Sequence, residues 1–302
     1  MNQQASTLAG PVSHVFIYIV VLSAIFLVGL TATMIAFVVK YSRGRNAKPV
    51  DIHGHTGLEI LWTVIPTLLF MTMFYYGYTR WSYGRNAPKD SLQVTVTGRQ
   101  WSYAFAYPNG KESAELKVPL GRPVRCNLVA TDVLHGFFIP AFAVKQDMVP
   151  GKNNYTWFQA SETGTYDILC TVFCGEGHPK MLAKVVVLPP AEFDAWYAAR
   201  EAESGPEHGA ALYKTKGCVG CHSLDGSKLV GPSWKGIFGE PAVVVTGGVE
   251  RTVTADEAYL KRSIREPNAD VVKGYQPGMM PVEMSLTDAD VDDLVAYIKT
   301  LK

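Results

Sequence analysis

Val15 to Val39 is a run of 25 residues without a single Asp, Glu, Lys, Arg or His. Nothing else in the chain limits its fold so sharply. At about 1.5 Å per residue, a helix of that length crosses the roughly 30 Å hydrocarbon core of a bilayer with room for tilt. Ile60 to Thr79 is a second uncharged run, of 20 residues, rich in Phe and Tyr towards its far end, as at a membrane interface. Pro66 lies inside it, which a membrane helix tolerates where neighbours satisfy the freed carbonyl. The two runs predict a transmembrane hairpin. The first is too long for a signal peptide, and neither a basic segment before it nor a small-residue cleavage site after it is present. The loop between them carries Lys40, Arg43, Arg45 and Lys48, whereas no Lys or Arg precedes the first run. By the positive-inside tendency that loop is cytoplasmic and both termini face outward.

From residue 92 the texture changes. Leu92 to Thr97 alternates apolar and polar side chains, as do Trp157 to Gln159 and Thr165 to Leu169, and Ala183 to Leu188 closes the set. Period-two patterns broken by Pro108-Asn109-Gly110 and Pro150-Gly151 predict a small antiparallel β-sandwich. Pro189-Pro190 ends it, and a charged, Ala-rich linker follows to residue 205, with a helical turn or two expected in it. The C-terminal part is helical at both ends, with Val291, Leu294, Val295 and Ile298 on one helical face after the cap Thr287.

Within the sandwich, Cys170, Cys174, His178 and Met181 stand at offsets of 0, +4, +8 and +11, and His135 offers a second imidazole upstream. Soft thiolates select copper, zinc or iron, and a thioether adds little for any metal but copper or haem iron. Two thiolates can bridge two copper ions, each taking one histidine, with Met181 and a main-chain oxygen in the weak positions. A tetrahedral zinc site or a Cys170–Cys174 disulfide would use the same residues. The odd cysteine, Cys126, sits in an apolar strand pattern and is expected in the core.

Cys218-Val219-Gly220-Cys221-His222 is a C-x-x-C-H motif, the attachment site of c-type haem. The thiols add across the haem vinyl groups and His222 ligates the iron. Covalent attachment takes place outside the cytoplasm, which sets the side of the membrane. A thioether on the opposite face raises the potential relative to a second histidine. Met279 and Met280 are the candidates, with Met284 as packing.

The copper-loop spacing resembles that of cytochrome c oxidase subunit II, and the haem motif sharpens the likeness to the caa(3) type, in which a cytochrome c domain is fused behind the copper domain. The resemblance implies a multidomain membrane protein: a transmembrane hairpin over 1–90, a cupredoxin-like antiparallel β-sandwich over 91–190, a linker over 191–205, and an all-α class I cytochrome c domain over 206–302. It implies a binuclear CuA centre of two copper ions, with Cys170 and Cys174 bridging, His135 and His178 terminal, Met181 weak, and Val172 giving its main-chain oxygen. Relatives often carry Glu or Gln at the place of Val172, where an acidic side chain helps hold a second metal against subunit I, so that metal is not expected here. One covalent haem c is implied, on Cys218 and Cys221, with His222 and Met280 axial.

In the same resemblance Trp101 is the surface entry point for electrons; by its residues alone the Gly98 to Tyr107 run also reads as ordinary sandwich-core aromatics. Glu59, in the Glu59 to Pro66 match to the family's second helix, lies at the mouth of a proton channel of subunit I, whereas His53 and His55 are solvated bystanders. Subunits I and III, an external cytochrome or other respiratory donor, and lipid are the implied partners, in a bacterial inner membrane. Electrons would pass from the donor through haem c to CuA and on to subunit I, where oxygen is reduced and protons are pumped.

A membrane-anchored nitrous oxide or nitric oxide reductase component is the rival enzyme class; the former would share the copper loop but needs a histidine-rich catalytic domain, and the chain has seven His in all. A tethered carrier working without subunit I is disfavoured by the Glu59 to Pro66 match. A quinol oxidase subunit would lack the two copper thiols. Charge divides unevenly: residues 92–188 hold nine Lys/Arg against seven Asp/Glu, whereas 189–302 hold 12 against 17. Docking of the haem domain on the copper domain through opposite net charge is therefore expected, weakening as salt screens it. No basic stripe with interleaved aromatics suggests nucleic acid.

Overall fold

The computed structural model describes residues 4–45, 53–199, 204–282 and 285–302. Lys48 and Met284, both weighed above, lie outside the described residues. Two compact units emerge, residues 7–86 and residues 1–6 with 87–302.

The first unit is the hairpin. Helix α1 (Ala9–Lys40) and helix α2 (Thr56–Arg85) both overrun the uncharged stretches that announced them. The overrun is physical: Tyr, Trp and Arg at the far end of α2 favour an interface without ending a helix. Apolar side chains point outward along both helices, Phe16, Leu27, Phe70 and Phe74 among them. Such a surface is stable facing hydrocarbon, not water. Tyr18 Oη and Thr72 Oγ1 hydrogen-bond at 2.6 Å between the helices. His55 is not a bystander: its Nδ1 accepts from Leu58 N at 3.2 Å and caps α2.

The second unit begins with the sandwich. Strands β1 (Leu92–Arg99), β2 (Ser102–Ala106), β3 (Glu112–Ser113), β4 (Leu116–Pro119), β5 (Pro123–Ala130), β6 (His135–Ile139), β7 (Val144–Met148), β8 (Asn154–Gln159), β9 (Gly164–Leu169) and β10 (Leu182–Leu188) form two five-stranded sheets. Their orders are β3-β2-β1-β5-β8 and β4-β10-β9-β6-β7. The alternation in β1 puts Leu92, Val94 and Val96 inside, where Phe105, Phe137, Trp157 and Phe158 complete the core. Cys126 is fully buried on β5, as its pattern predicts. The sheets are not purely antiparallel, since β1 pairs parallel to β5 and β4 parallel to β10. Alternation reports which face is buried and carries no information about a neighbour's direction.

The described start of the linker is helical, as its composition suggests. Helix α3 (Pro190–Ala198) buries Phe193 and sets Trp196 edge-on against Tyr107 of the sandwich, ring centroids 5.0 Å apart. Lys111 Nζ donates to the carbonyls of Trp196 and Ala199 and satisfies the helix end.

The C-terminal domain comprises helix α4 (Pro206–Thr215), strands β11 (Pro241–Thr246) and β12 (Val249–Thr254), helix α5 (Glu257–Arg265), strand β13 (Val271–Val272) and helix α6 (Asp288–Thr300). A Cβ on Gly209 would fall 2.1 Å from the Asp293 carbonyl oxygen, so α4 and α6 cross in backbone contact. Leu212, Trp234, Leu260, Leu294 and Ile298 fill the core around that crossing. The expectation of an all-α domain needs correction, because β12, β11 and β13 make a three-stranded sheet. Val243, Val244 and Val245 are β-branched, and Gly247 and Gly248 turn the chain at φ of +56° and +89°.

Candidate functional site

The six donors singled out in the sequence converge at one end of the sandwich. Cys170 Sγ lies 3.8 Å from Cys174 Sγ, and Cys174 Sγ lies 3.6 Å from His178 Nδ1 and 3.8 Å from Met181 Sδ. A ring nitrogen of His135 and the two sulfurs fall within 4.8 Å of one another. Cys170 Sγ also meets the Val172 carbonyl oxygen at 3.2 Å. The sulfurs stand too far apart for a disulfide, whose bond is about 2.05 Å.

His135 is fully buried at the start of β6, and its Nε2–H donates to Asp132 Oδ1 at 2.7 Å. Its Nδ1 is buried with no hydrogen-bond partner among the described residues. A buried imidazole nitrogen without a partner is costly unless something else takes its lone pair, and a metal ion does so. The donor set of two sulfurs, two imidazoles, a thioether and a carbonyl suits copper.

Asp132 was missed as a functional residue, although it stands three positions before His135. Burial disfavours its charge, but the bond to His135 and those from Gln100 N and Val133 N hold its carboxyl below the usual range. For His135, burial acts downward, yet Asp132 and the neighbouring Cys170 raise its pKa to about 9, so a metal ion binding at Nδ1 displaces a proton. Burial works against a charged Cys170, but the neighbouring His135 and the bond from the Gly136 N–H bring it down to about 6. Burial and the Cys170 thiolate push Cys174 up to about 12.

The C-x-x-C-H motif forms a 3₁₀ turn over Cys218–Gly220. Cys221, His222, Met279 and Met280 all line one cavity of about 360 Å³, walled by Trp234, Tyr259 and Ile264. His222 is buried, and its Nδ1–H donates to the Pro232 carbonyl at 2.7 Å, which leaves Nε2 free to ligate. Burial lowers the His222 pKa and keeps the imidazole neutral, as a ligand must be. Gly231 lies so close that a Cβ there would sit 2.6 Å from the ring. An apolar cavity with a fixed imidazole and two thioethers at its wall fits a haem. Cys218 packs on the domain core one turn earlier.

Trp101 is not at the surface. It is 5 % exposed, lying between the copper-type loop and the haem-type loop. Its Nε1–H donates to the Cys174 carbonyl at 3.1 Å, and Gln100 Nε2 donates to the same oxygen at 2.7 Å. On the other side, a Cβ on Gly220 would lie 2.8 Å from Trp101 N. Tyr103 and Phe105 are sandwich core, with Tyr103 Oη donating to the Gly136 carbonyl at 2.5 Å. Glu59 lies in the exposed first turn of α2, where its Oε1 accepts from His55 N at 3.3 Å.

Three family models match the chain in series: cytochrome c oxidase subunit II, transmembrane domain, over residues 1–79; its periplasmic domain over residues 111–188; and cytochrome c over residues 206–302. The cytochrome c oxidase subunit 2 of Alkalihalophilus pseudofirmus OF4 is 32% identical, with 91% of this chain and 83% of that protein aligned. The namesake subunit of Bacillus sp. PS3 is 30% identical over 85% of this chain and 78% of that protein. Among solved structures, the periplasmic domain of oxidase subunit II (CoxB) of Bradyrhizobium japonicum shares 36% identity, covering 37% of this chain and 94% of that one at a TM-score of 0.35.

Proposed function

The chain belongs to the cytochrome c oxidase subunit II family and carries a cytochrome c domain behind the copper domain, and from that premise we propose that it is the electron-entry subunit of a caa(3)-type haem-copper oxidase. His135, Cys170, Cys174, His178, Met181 and the Val172 carbonyl would hold two copper ions. Cys218 and Cys221 would carry one haem c by thioether bonds, with His222 and Met280 axial. When bound, these groups supply reversible one-electron chemistry with little change of geometry. No residue of this chain is assigned to oxygen itself, whose reduction falls to subunit I.

The observation that carries this reading is the buried, partnerless Nδ1 of His135 beside two free thiols, a second imidazole and a thioether. Met280 is preferred over Met279 because Met279 is 42% exposed, which suits an iron ligand poorly. Trp101, bonded to the Cys174 carbonyl, is the link through which electrons reach the copper pair. Glu59, at the membrane boundary, is assigned to proton uptake with subunit I.

The outward placement of both termini has support beyond the charge of the loop. Ala5 and Ser6, just ahead of α1, are stitched to the sandwich: Ala5 N donates to the Ala141 carbonyl, Ser161 N to the Ala5 carbonyl, and Ser6 Oγ to the Phe142 carbonyl. The segment preceding the first span and the copper domain therefore share one side of a bacterial inner membrane. Subunits I and III and an external cytochrome or similar carrier are the partners.

Metal analysis with a pyridine haemochrome assay on the protein purified with its native partners tests this. Two copper ions and one haem c per chain are expected. A single zinc ion, or an absence of haem c, would refute it.

A further inference from the structure

We propose that Gly217 and Gly220 form a saddle without side chains by which the haem-attachment loop seats on the Gln100–Ser102 turn, so that this turn is a receptor for the chain's own haem domain and is closed to soluble carriers. The inference rests on the functional reading above only for what passes across the contact; the seating itself rests on geometry.

Gly220 is the sharpest observation. A Cβ there would meet Trp101 N at 2.8 Å and Trp101 C and O at 3.3 Å. All three are backbone atoms, which cannot swing aside as a side-chain tip can. Gly220 does not have a positive φ, so an L-residue could adopt its conformation without strain. The glycine is therefore explained by the close approach and not by a turn. Gly217 makes a second contact, with its Cβ position 2.7 Å from Ser102 Oγ and 3.0 Å from Arg99 Cδ. Its φ of +79° calls for glycine on conformational grounds as well.

The saddle is flanked by polar contacts. Arg99 Nη2 donates to the Thr215 carbonyl at the end of α4, 2.9 Å away, where a cation is favoured. Lys216 Nζ pairs with Glu112 Oε2 at 3.2 Å. On the opposite side of Trp101 the copper loop uses the same device, for a Cβ on Gly177 would lie 2.3 Å from the indole Cδ2. Trp101 is thus gripped between two glycine-lined loops, one from each candidate redox site. A soluble carrier can reach it only if the haem domain leaves.

With haem c and copper bound, this contact would carry one electron at a time, lost by the haem and gained by the copper site. A methyl group at 220 must push the loop outward by several tenths of an ångström, which lengthens the gap the electron has to cross.

The test uses the complete oxidase with Gly220→Ala and Gly220→Val. Two readouts are taken at verified haem and copper content: the rate of haem-to-copper equilibration after photoinjection of one electron, and amide exchange of residues 99–103 by mass spectrometry. The rate is expected to fall in Gly220→Ala and further in Gly220→Val. Exchange at 99–103 should rise in both. Val249→Ala, 69% exposed on the β11–β12 turn, should match wild type in both readouts. Wild-type rate and exchange in both Gly220 variants would overturn the proposal. Should those variants lose haem, Lys216→Glu and Arg99→Ala probe the same seating from outside the attachment motif, and unchanged exchange in both would overturn it equally. Absence of copper or haem from wild type would refute the functional reading instead, and the exchange data, which need neither group, would still decide the seating.

Discussion

The indole Nε1–H of Trp101 donates to the carbonyl oxygen of Cys174 at 3.1 Å, joining the β1–β2 turn directly to one of the two thiol-bearing positions of the metal-type loop. Trp101→Phe keeps an aromatic side chain but removes this donor and the five-membered ring that carries it. A hydrogen bond worth about 1 kcal/mol is lost together with buried apolar area. We expect a drop in thermal stability, an unchanged copper spectrum, and slower electron transfer into the copper site, read by stopped-flow reduction of the oxidase. Unchanged transfer kinetics would remove Trp101 from the path.

Asp132 aims His135. Its carboxylate takes the Nε2–H at 2.7 Å and thereby commits Nδ1 to the metal side. Outer partners of this kind change metal affinity by about 10- to 100-fold when removed. Asp132→Ala should weaken copper binding by that order in a chelator competition. Asp132→Asn, which can still accept from the imidazole, should lose less. Equal affinity in wild type and Asp132→Ala would show that packing alone orients the ring.

The parts of the site that lie close in sequence were legible there: Cys170, Cys174, His178 and Met181 sit on one loop, and their spacing carries their chemistry. His135 could be nominated because few histidines compete for the role. Asp132 escaped notice because a carboxylate near a histidine has many meanings until a distance fixes one. The aromatic run around Trp101 fits a core residue as well as a surface one, and part of what covers it lies more than a hundred residues away at Gly220. The net-charge argument for docking fared unevenly. Arg99 does reach from the copper domain to the end of α4, but the ion pair Lys216–Glu112 runs with the opposite polarity. Close approach of glycine backbone has no counterpart in a charge count. The β11–β12 hairpin was visible in Val243–Val245 and Gly247-Gly248, but the helical signals around it took precedence.

Phe193 measures how firmly the linker is held. It is 1 % exposed, stacks on Tyr197 at a centroid distance of 5.5 Å, and packs with Trp196 against the sandwich. Phe193→Ala removes a buried aromatic, a change that costs about 3–5 kcal/mol in a well-packed core. The cost should fall on docking of α3, so limited proteolysis is expected to cut near residue 199 faster, with the copper spectrum intact. Protease resistance equal to wild type would mean that Lys111 alone holds the helix.

Asp270 ties the haem domain to pH. Its side chain is 3% exposed and accepts from Arg251 Nη2 at 2.9 Å, with further bonds from Arg262 and Thr246. Burial opposes its charge, but Thr246 and the two guanidinium groups hold its carboxyl below the usual carboxylate range. A depressed folded-state pKa means that the unfolded chain binds the proton first on acidification. The contribution to stability is thus complete above the unfolded value near 4 and is lost as pH falls through the lower folded value. Asp270→Asn should destabilise the haem domain at pH 7 by on the order of 2 kcal/mol, since hydrogen bonds to a charged group are the stronger kind. Near pH 2 the variant and wild type should approach one another in denaturant midpoint. A difference that stays constant from pH 7 to pH 2 would place the effect in packing around the cavity wall, which Asp270 also lines, and not in its charge.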